Sequence, residues 1–177
     1  MQNKREFFRY VIPSMLAFAL SGVYAITDGF FVGNALGDNA LAAINIAYPL
    51  TALQQSIGTG IGMGGAILYS ISEGAGDHEK KYRYFGIAGI LMLLFAAFIT
   101  VIFLWSAPYI LILFGAEGEV LSMSKEYIRF IAYGSLFQVL GTGLVPFIRN
   151  MGGSVTSMLA MVAGFATNIA LDWTFVW

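Results

Sequence analysis

Long stretches without a charged residue alternate with short charged clusters along this chain. The uncharged stretches cover 10–27, 39–72, 84–116, 130–148 and 150–171. Because about 20 apolar residues cross a bilayer as an α-helix, each stretch is long enough to hold one membrane span. The predicted spans are 9–33, 41–70, 84–106, 127–147 and 154–176, and the short apolar segment APYILILFGA is predicted to lie at the membrane surface after the third.

Composition supports a membrane protein. Hydrophobic residues make up 58% of the chain and charged residues 11%, whereas about a quarter of the residues in a soluble domain are charged. We therefore predict an all-α, polytopic membrane protein with five transmembrane helices. A cleaved signal peptide is the alternative for the first span, but the apolar run continues past the candidate cleavage site at Ala25 and four more spans follow.

The positive charges indicate an orientation. Seven of the nine fall in the N-terminal segment, in the second connection and after the fourth span, at Lys4, Arg5, Arg9, Lys80, Lys81, Arg83 and Arg149. The first connection, NALGDNA, has no Lys or Arg, and the third carries the acids Glu117 and Glu119 with one Lys before the next span. The positive-inside rule then predicts a cytoplasmic N-terminus.

Two glycine-rich motifs have a structural interpretation. GIGMGG at 60–65 matches a dinucleotide-binding fingerprint, which requires a preceding soluble strand, yet it lies inside an apolar span. Close helix packing is predicted instead, through the small residues Gly58, Gly60, Gly62 and Gly64. GAGD at 74–77 is similar to a motif of intramembrane aspartyl proteases, but a helix-end turn rich in glycine is the better interpretation.

Other chemistries find no support in the sequence. The chain has no cysteine, so it offers neither a disulfide framework nor a thiolate metal site. Its single histidine, His78, stands in the charged loop GDHEKKYR, where a solvated side chain is expected. There is no basic stripe of the kind that binds nucleic acid. We expect no enzymatic activity, no organic cofactor and no nucleic-acid partner.

Two acids are placed where water should be scarce. Asp28 lies in the first predicted span and Asp172 in the fifth, about 28 Å and about 27 Å above the cytoplasmic ends of their helices at ~1.5 Å per residue. A carboxylate at this depth is costly and is by default functional or paired. If the two helices are neighbours, the carboxylates converge, and Asn168 joins them because it is four residues before Asp172.

The same faces carry small and polar residues at helical spacing. On the first span they are Ala17, Ser21, Tyr24 and Asp28, and on the fifth they are Ser157, Met161, Gly164, Asn168 and Asp172. Such stripes occur in tightly packed helix pairs and also in polar cavities whose acids bind a ligand. Both interpretations stay open at this point.

Four segments together resemble one family of transporters. They are VGNALGDNALAAINIAYPL after the first span, GIGMGGAILYSISEGAGD at the end of the second, LVPFIRNMGG at the end of the fourth and NIALDWTF in the fifth. In order and spacing they are similar to the multidrug and toxic compound extrusion (MATE) family, and closest to its bacterial efflux members. The resemblance implies a multi-pass protein of the bacterial plasma membrane. It also implies that residues 1–177 are a partial N-terminal lobe, with five helices of a six-helix lobe, lacking the sixth helix and the C-terminal lobe.

The resemblance also implies a cation site and a hinge. The family's first-lobe site falls on Asp28, Asn168 and Asp172, which would bind H⁺ or Na⁺ as the coupling ion. No other metal site is expected. The family's first-helix tyrosine, one turn before the aspartate, falls on Tyr24 and its helix-bending proline on Pro13, while a threonine ligand from the sixth helix is missing. Tyr24, Ser21, Gln138 and Met161 are expected to line the substrate cavity.

The expected function is multidrug efflux, in which organic cationic drugs or dyes are exchanged for H⁺ or Na⁺ across the lipid bilayer. A lipid-linked oligosaccharide flippase of the same superfamily is one alternative, although its anionic cargo calls for Arg or Lys in the cavity. A truncated remnant without transport activity is the other, because one half cannot alternate access against a missing repeat.

Overall fold

The structure is a computed structural model that describes residues 2–175, without the side chains of residues 2–6, 9 and 10. Within that range the chain forms helices joined by short turns, and no strand. The six helices are α1 (Gln2–Leu36), α2 (Asp38–Gly74), α3 (His78–Leu113), α4 (Gly118–Tyr133), α5 (Ser135–Asn150) and α6 (Ser154–Phe175). The end of the last predicted span, and the side chains of Lys4, Arg5 and Arg9, lie outside the described residues.

The all-α membrane class is confirmed. Among the described residues, three helical segments are long and apolar enough to cross a membrane, namely Val11–Leu36, His78–Leu113 and Ser154–Phe175. The helix expected as the second span is α2, whose 37 residues reach about 55 Å at ~1.5 Å per residue. Polar residues such as Gln54 and Gln55 make α2 less apolar than those three segments.

Three details of the predicted spans were wrong. The fourth span is two helices, α4 and α5, bent by 61° at a break, and the break falls at Gly134, a poor helix former. The segment APYILILFGA is not a separate surface element, since its first seven residues continue α3 to Leu113. The first connection is Gly37 alone, at φ +82°, a conformation that glycine adopts without steric cost.

Helix α2 runs parallel to α4 and α5 in a nearly constant register. The Asn39 side chain donates a hydrogen bond to Glu119 at 2.7 Å, across 80 positions of sequence. The Ser124 hydroxyl donates to the Ala43 carbonyl at 3.2 Å, across 81 positions. The Asn150 side chain donates to the Ala66 carbonyl at 3.0 Å, across 84 positions. The bent pair therefore follows α2 along most of its length.

The predicted close packing of the glycine motif is confirmed at two positions. A Cβ atom on Gly58 would lie 2.3 Å from the Thr142 hydroxyl, and one on Gly62 would lie 2.0 Å from the Gly143 carbonyl oxygen. At Gly60 and Gly64 the prediction was wrong, because a Cβ atom there would meet nothing within 4 Å among the described residues. Only one face of α2 therefore approaches α5 closely through glycines.

The turn between α2 and α3 is a helix-end turn, as predicted for the GAGD motif. Gly76 has φ +71°, and the Asp77 carboxylate accepts a hydrogen bond from the Lys80 backbone N–H at 3.0 Å, which caps α3. Hydrogen bonds from Lys80 hold the pKa of Asp77 below its usual value. Across the turn, Lys81 forms an ion pair with Glu73. Asp77 thus has a structural role in the loop.

The helices form two groups. Helices α2, α3, α4 and α5 pack against one another around a buried core that includes Met92, Leu111, Val139 and Phe147. Helix α1 packs chiefly against α6 and more lightly against α2. The α1–α6 pair lies beside the four-helix group, and the cavity described next lies between α1 and that group.

Candidate cation site and substrate cavity

The pairing of α1 with α6 brings the predicted acidic residues to one place. Asp28, on α1, is half-buried, and Asp172 lies near enough for the two carboxylate charges to interact. Two aromatic contacts between the same helices lie on either side. Tyr24 stacks on Phe165 with ring centroids 4.9 Å apart, and Phe31 meets Trp173 edge to face at 6.3 Å. These rings fix the height at which the two helices face each other.

Two oxygen atoms of this cluster are buried and unsatisfied. Asn168 Oδ1 and Asp172 Oδ2 have no hydrogen-bond partner among the described residues. Buried polar atoms are normally paired, since leaving one unpaired forfeits its hydration. Carboxylate and amide oxygens only accept, and they are the ligands that hard cations such as Na⁺ take from proteins. A proton on the carboxyl group would also relieve the repulsion between two nearby acids. The arrangement is therefore suited to holding a small cation.

A cavity of about 550 Å³ opens beside this cluster, between α1, α2, α4 and α5. Among the described residues that line it, Asp28 is the one that carries a charge. The predicted lining residues Tyr24 and Gln138 face this cavity, as do Tyr48 and Tyr127. A single acid among aromatic and amide groups is chemically suited to cations, through its charge and through cation–π contact. The volume is within the range of pockets for drug-sized molecules.

Other predicted site residues lie outside the cavity wall. Ser21 donates a hydrogen bond to the Phe18 carbonyl at 2.7 Å along its own helix. The Met161 sulfur lies 3.7 Å from an Arg149 side-chain nitrogen. Asn168 and Asp172 belong to the cluster beside the cavity and do not appear among its described lining residues. Pro13 is buried inside α1, about 22 Å below Asp28 at ~1.5 Å per residue.

Sequence reasoning missed the wall formed by α2. The lining residues it overlooked on this helix include Asn45, Thr51, Gln54 and Gln55. The available signal was a set of polar residues at helical spacing inside an otherwise apolar span. These uncharged residues are a weaker signal of function than the two aspartates, because an amide in a membrane is far less costly than a charge.

The fold and the site together define the class of protein. It is an all-α, multi-pass membrane protein with an acidic cavity among its helices, as in transporters. The MatE family model matches residues 13–174 of this sequence. The chain therefore belongs to the MatE family, as the sequence motifs indicated. Members of this family are transporters and not enzymes.

Similar proteins agree with this assignment. The multidrug export protein MepA of Staphylococcus saprophyticus subsp. saprophyticus is 29% identical over 170 residues, which cover 92% of this chain and 36% of that protein. A MATE structure in complex with MaD3S superposes with a TM-score of 0.91 at 28% identity, over 98% of this chain and 39% of that one. A MOP superfamily transporter from Pyrococcus furiosus superposes with a TM-score of 0.91 at 29% identity, over 98% of this chain and 38% of that one. For that transporter, reverse polarity of the binding pocket suggests a different function. This chain thus spans somewhat over a third of the length of these relatives, and its spans and bacterial relatives indicate a bacterial multi-pass membrane protein.

Proposed function

We propose that this chain is the substrate- and ion-binding part of a multidrug efflux transporter that exchanges organic cations for H⁺ or Na⁺. The observation that carries the proposal is the unsatisfied pair of buried oxygens on Asn168 and Asp172, next to Asp28 in the wall of the cavity. The multidrug export proteins among its relatives support drugs as the cargo. In the plasma membrane the N-terminus would be cytoplasmic.

In this mechanism the ion and the drug compete through Asp28. The drug cation pairs with the Asp28 carboxylate inside the cavity. When H⁺ or Na⁺ enters the cluster formed by Asp28, Asn168 and Asp172, it neutralises that negative charge. The drug then loses its electrostatic partner and is released outward. Pro13 is the proposed point at which α1 bends during the exchange, since a proline removes one internal hydrogen bond of the helix.

Charge favours this function over a flippase for lipid-linked saccharides. A pyrophosphate cargo needs cationic donors, and Arg is the residue best suited to bind it. The described cavity wall contains neither Lys nor Arg. Arg149 faces a separate groove of about 470 Å³ between α1, α5 and α6. Lys125 and Arg129 line another pocket, between α3 and α4. A cationic cargo is thus the better match to the cavity.

Efflux of a fluorescent cationic dye from cells that express the full chain tests the proposal. Asp28→Asn keeps the shape of the side chain and removes its charge, so we expect efflux to fall to the level of cells without the protein. Asp38→Asn is the matched control, because Asp38 is exposed in the first turn of α2, and it should leave efflux unchanged. Efflux that survives Asp28→Asn would rule out the mechanism. Efflux driven in liposomes by a proton gradient or by a sodium gradient identifies the coupling ion.

A further inference from the structure

Gln54 is an unusual residue in the wall of the cavity. Its side chain belongs to α2 and lines the cavity, yet it is only 1% exposed. Neither Nε2 nor Oε1 of its carboxamide has a hydrogen-bond partner among the described residues. A fully buried amide without partners is costly, and such groups in native proteins call for an explanation such as water, an ion or a ligand.

The surroundings of Gln54 offer hydrogen bonds and no charge. In the register of α2 with α5, where Gly58 faces Thr142, Gln54 lies one turn earlier, level with Gln138. Gly134 and Gln138 line the same cavity. Helix α5 begins about one turn before that level, at Ser135, without a side-chain cap, and the N-terminal end of a helix carries a partial positive charge. This part of the wall is suited to the oxygen of an uncharged polar group.

The cavity wall therefore contains two chemically different groups on two helices. Asp28, on α1, supplies a negative charge, and Gln54, on α2, supplies a neutral donor and acceptor. Aromatic side chains, among them Tyr24, Tyr48 and Tyr127, line the space with them. An aromatic cation that also bears a polar group offers a partner to each of the two. Gln54 has three rotatable side-chain bonds, so a change of rotamer is enough to turn its amide toward a bound molecule.

We propose that Gln54 is a specificity-determining residue, whose carboxamide hydrogen-bonds an uncharged carbonyl or amide of a cationic cargo while Asp28 pairs with the charge of that cargo. This inference rests on the proposed function. It adds a preference among cations, because a site built to hydrogen-bond a group discriminates against the analogue that lacks it. The residue acts on binding and has no part in ion coupling.

Two probes separate this role from a purely structural one. Both probes are cationic aromatic dyes with the same ring system and the same charge. They differ at one position, where one dye bears a primary carboxamide and the other bears a methyl group. Their dissociation constants are measured with the purified full chain in lipid nanodiscs. Gln54→Met nearly preserves the length of the side chain and removes its polar atoms. We expect this substitution to raise the dissociation constant of the carboxamide dye about 10-fold and to change that of the methyl dye less than about 2-fold.

Ser56→Ala is the matched control, because it also removes a polar side-chain group from α2. Ser56 is exposed, is not among the described residues that line the cavity, and donates its hydroxyl to the Ala52 carbonyl, so both dyes should bind as they do to the unaltered protein. Gln54→Asn retracts the amide by one methylene and should also reduce the preference for the carboxamide dye. This second variant keeps the test valid if Gln54→Met fails to fold.

The outcomes distinguish the two proposals. If Asp28→Asn weakens both dyes while the Gln54 variants leave their ratio unchanged, the proposed function stands and the role of Gln54 is overturned. If the unaltered chain binds neither dye, or binds both independently of Asp28, the proposed function fails and the inference about Gln54 fails with it. A loss of affinity confined to the carboxamide dye supports the inference.

Discussion

The interface between α2 and α5 differs in almost every respect from that between α1 and α6. Between α2 and α5 the backbones meet through Gly58, Gly62 and Gly143, where added Cβ atoms would lie closer than 3.0 Å to neighbouring atoms. Between α1 and α6 large rings hold the helices, as in the stack of Tyr24 on Phe165. The second interface also contains the unsatisfied oxygens of Asn168 and Asp172.

This difference suggests that the two interfaces have different roles. Membrane helices gain little from apolar burial, so close approach of small residues is a main source of their association. An interface packed in this way has little room for movement. An interface that includes unpaired acids stores an unfavourable interaction, which an ion can relieve. We interpret the first interface as the scaffold and the second as the part that responds to ligands.

The largest effect on stability is expected at the scaffold. In Gly62→Ala the new Cβ atom would lie 2.0 Å from the Gly143 carbonyl oxygen, and since this is backbone, helices α2 and α5 must separate. We expect a loss of roughly 2–3 kcal/mol in the free energy of unfolding, as for other overpacked sites, measured by thermal unfolding in detergent. Gly60→Ala is the control, because no described atom lies within 4 Å of its added Cβ. Equal behaviour of the two variants would contradict the distinction between the two faces of α2.

An intermediate effect on stability is expected at the acidic cluster, where the substitution should stabilise the protein. Asp172→Asn keeps the shape of the side chain and removes a carboxyl group whose Oδ2 is buried without a partner among the described residues, so the ion-free protein should gain roughly 1–2 kcal/mol of stability. It should also lose the stabilisation that the proposed mechanism expects the coupling ion to give to the unaltered protein. Melting temperatures with and without Na⁺, at two pH values, measure both changes. A variant that still responds to the ion as before would exclude Asp172 as a ligand.

The smallest effect is expected at the aromatic contact. Phe165→Leu removes the stack on Tyr24, and aromatic pairs contribute about 0.5–1.5 kcal/mol beyond their burial. We expect a loss of about 1 kcal/mol, with faster hydrogen exchange in α1 and α6 and no change in α2 and α5. Phe137→Leu is the control, because Phe137 is 78% exposed. Faster exchange throughout the chain would show that the two interfaces are not independent.

The membrane class, the approximate positions of the helices and the acidic residues could be predicted from local signals. Hydropathy depends on neighbouring residues in the sequence, and the cost of an acid in a span depends on depth, which follows from counting along a helix. The break at Gly134 could not be predicted in this way, because nearby glycines such as Gly141 remain inside a continuous helix. The close contact at Gly62 and its absence at Gly60 depended on which face of α2 meets α5.

The sequence by itself determined that this is a helical membrane chain with Asp28 and Asp172 at similar depth, and its motifs indicated the family. Only the tertiary structure decided that α1 is paired with α6, that α2 forms part of the wall of the cavity that Asp28 lines and that Gln54 is buried there without a partner among the described residues. The physical reason is that depth is a one-dimensional property of a helix, whereas a cavity needs the rotation and the neighbours of several helices. Those are set by packing between residues about 80 positions apart, as in the contacts of Ala43 and Ser124.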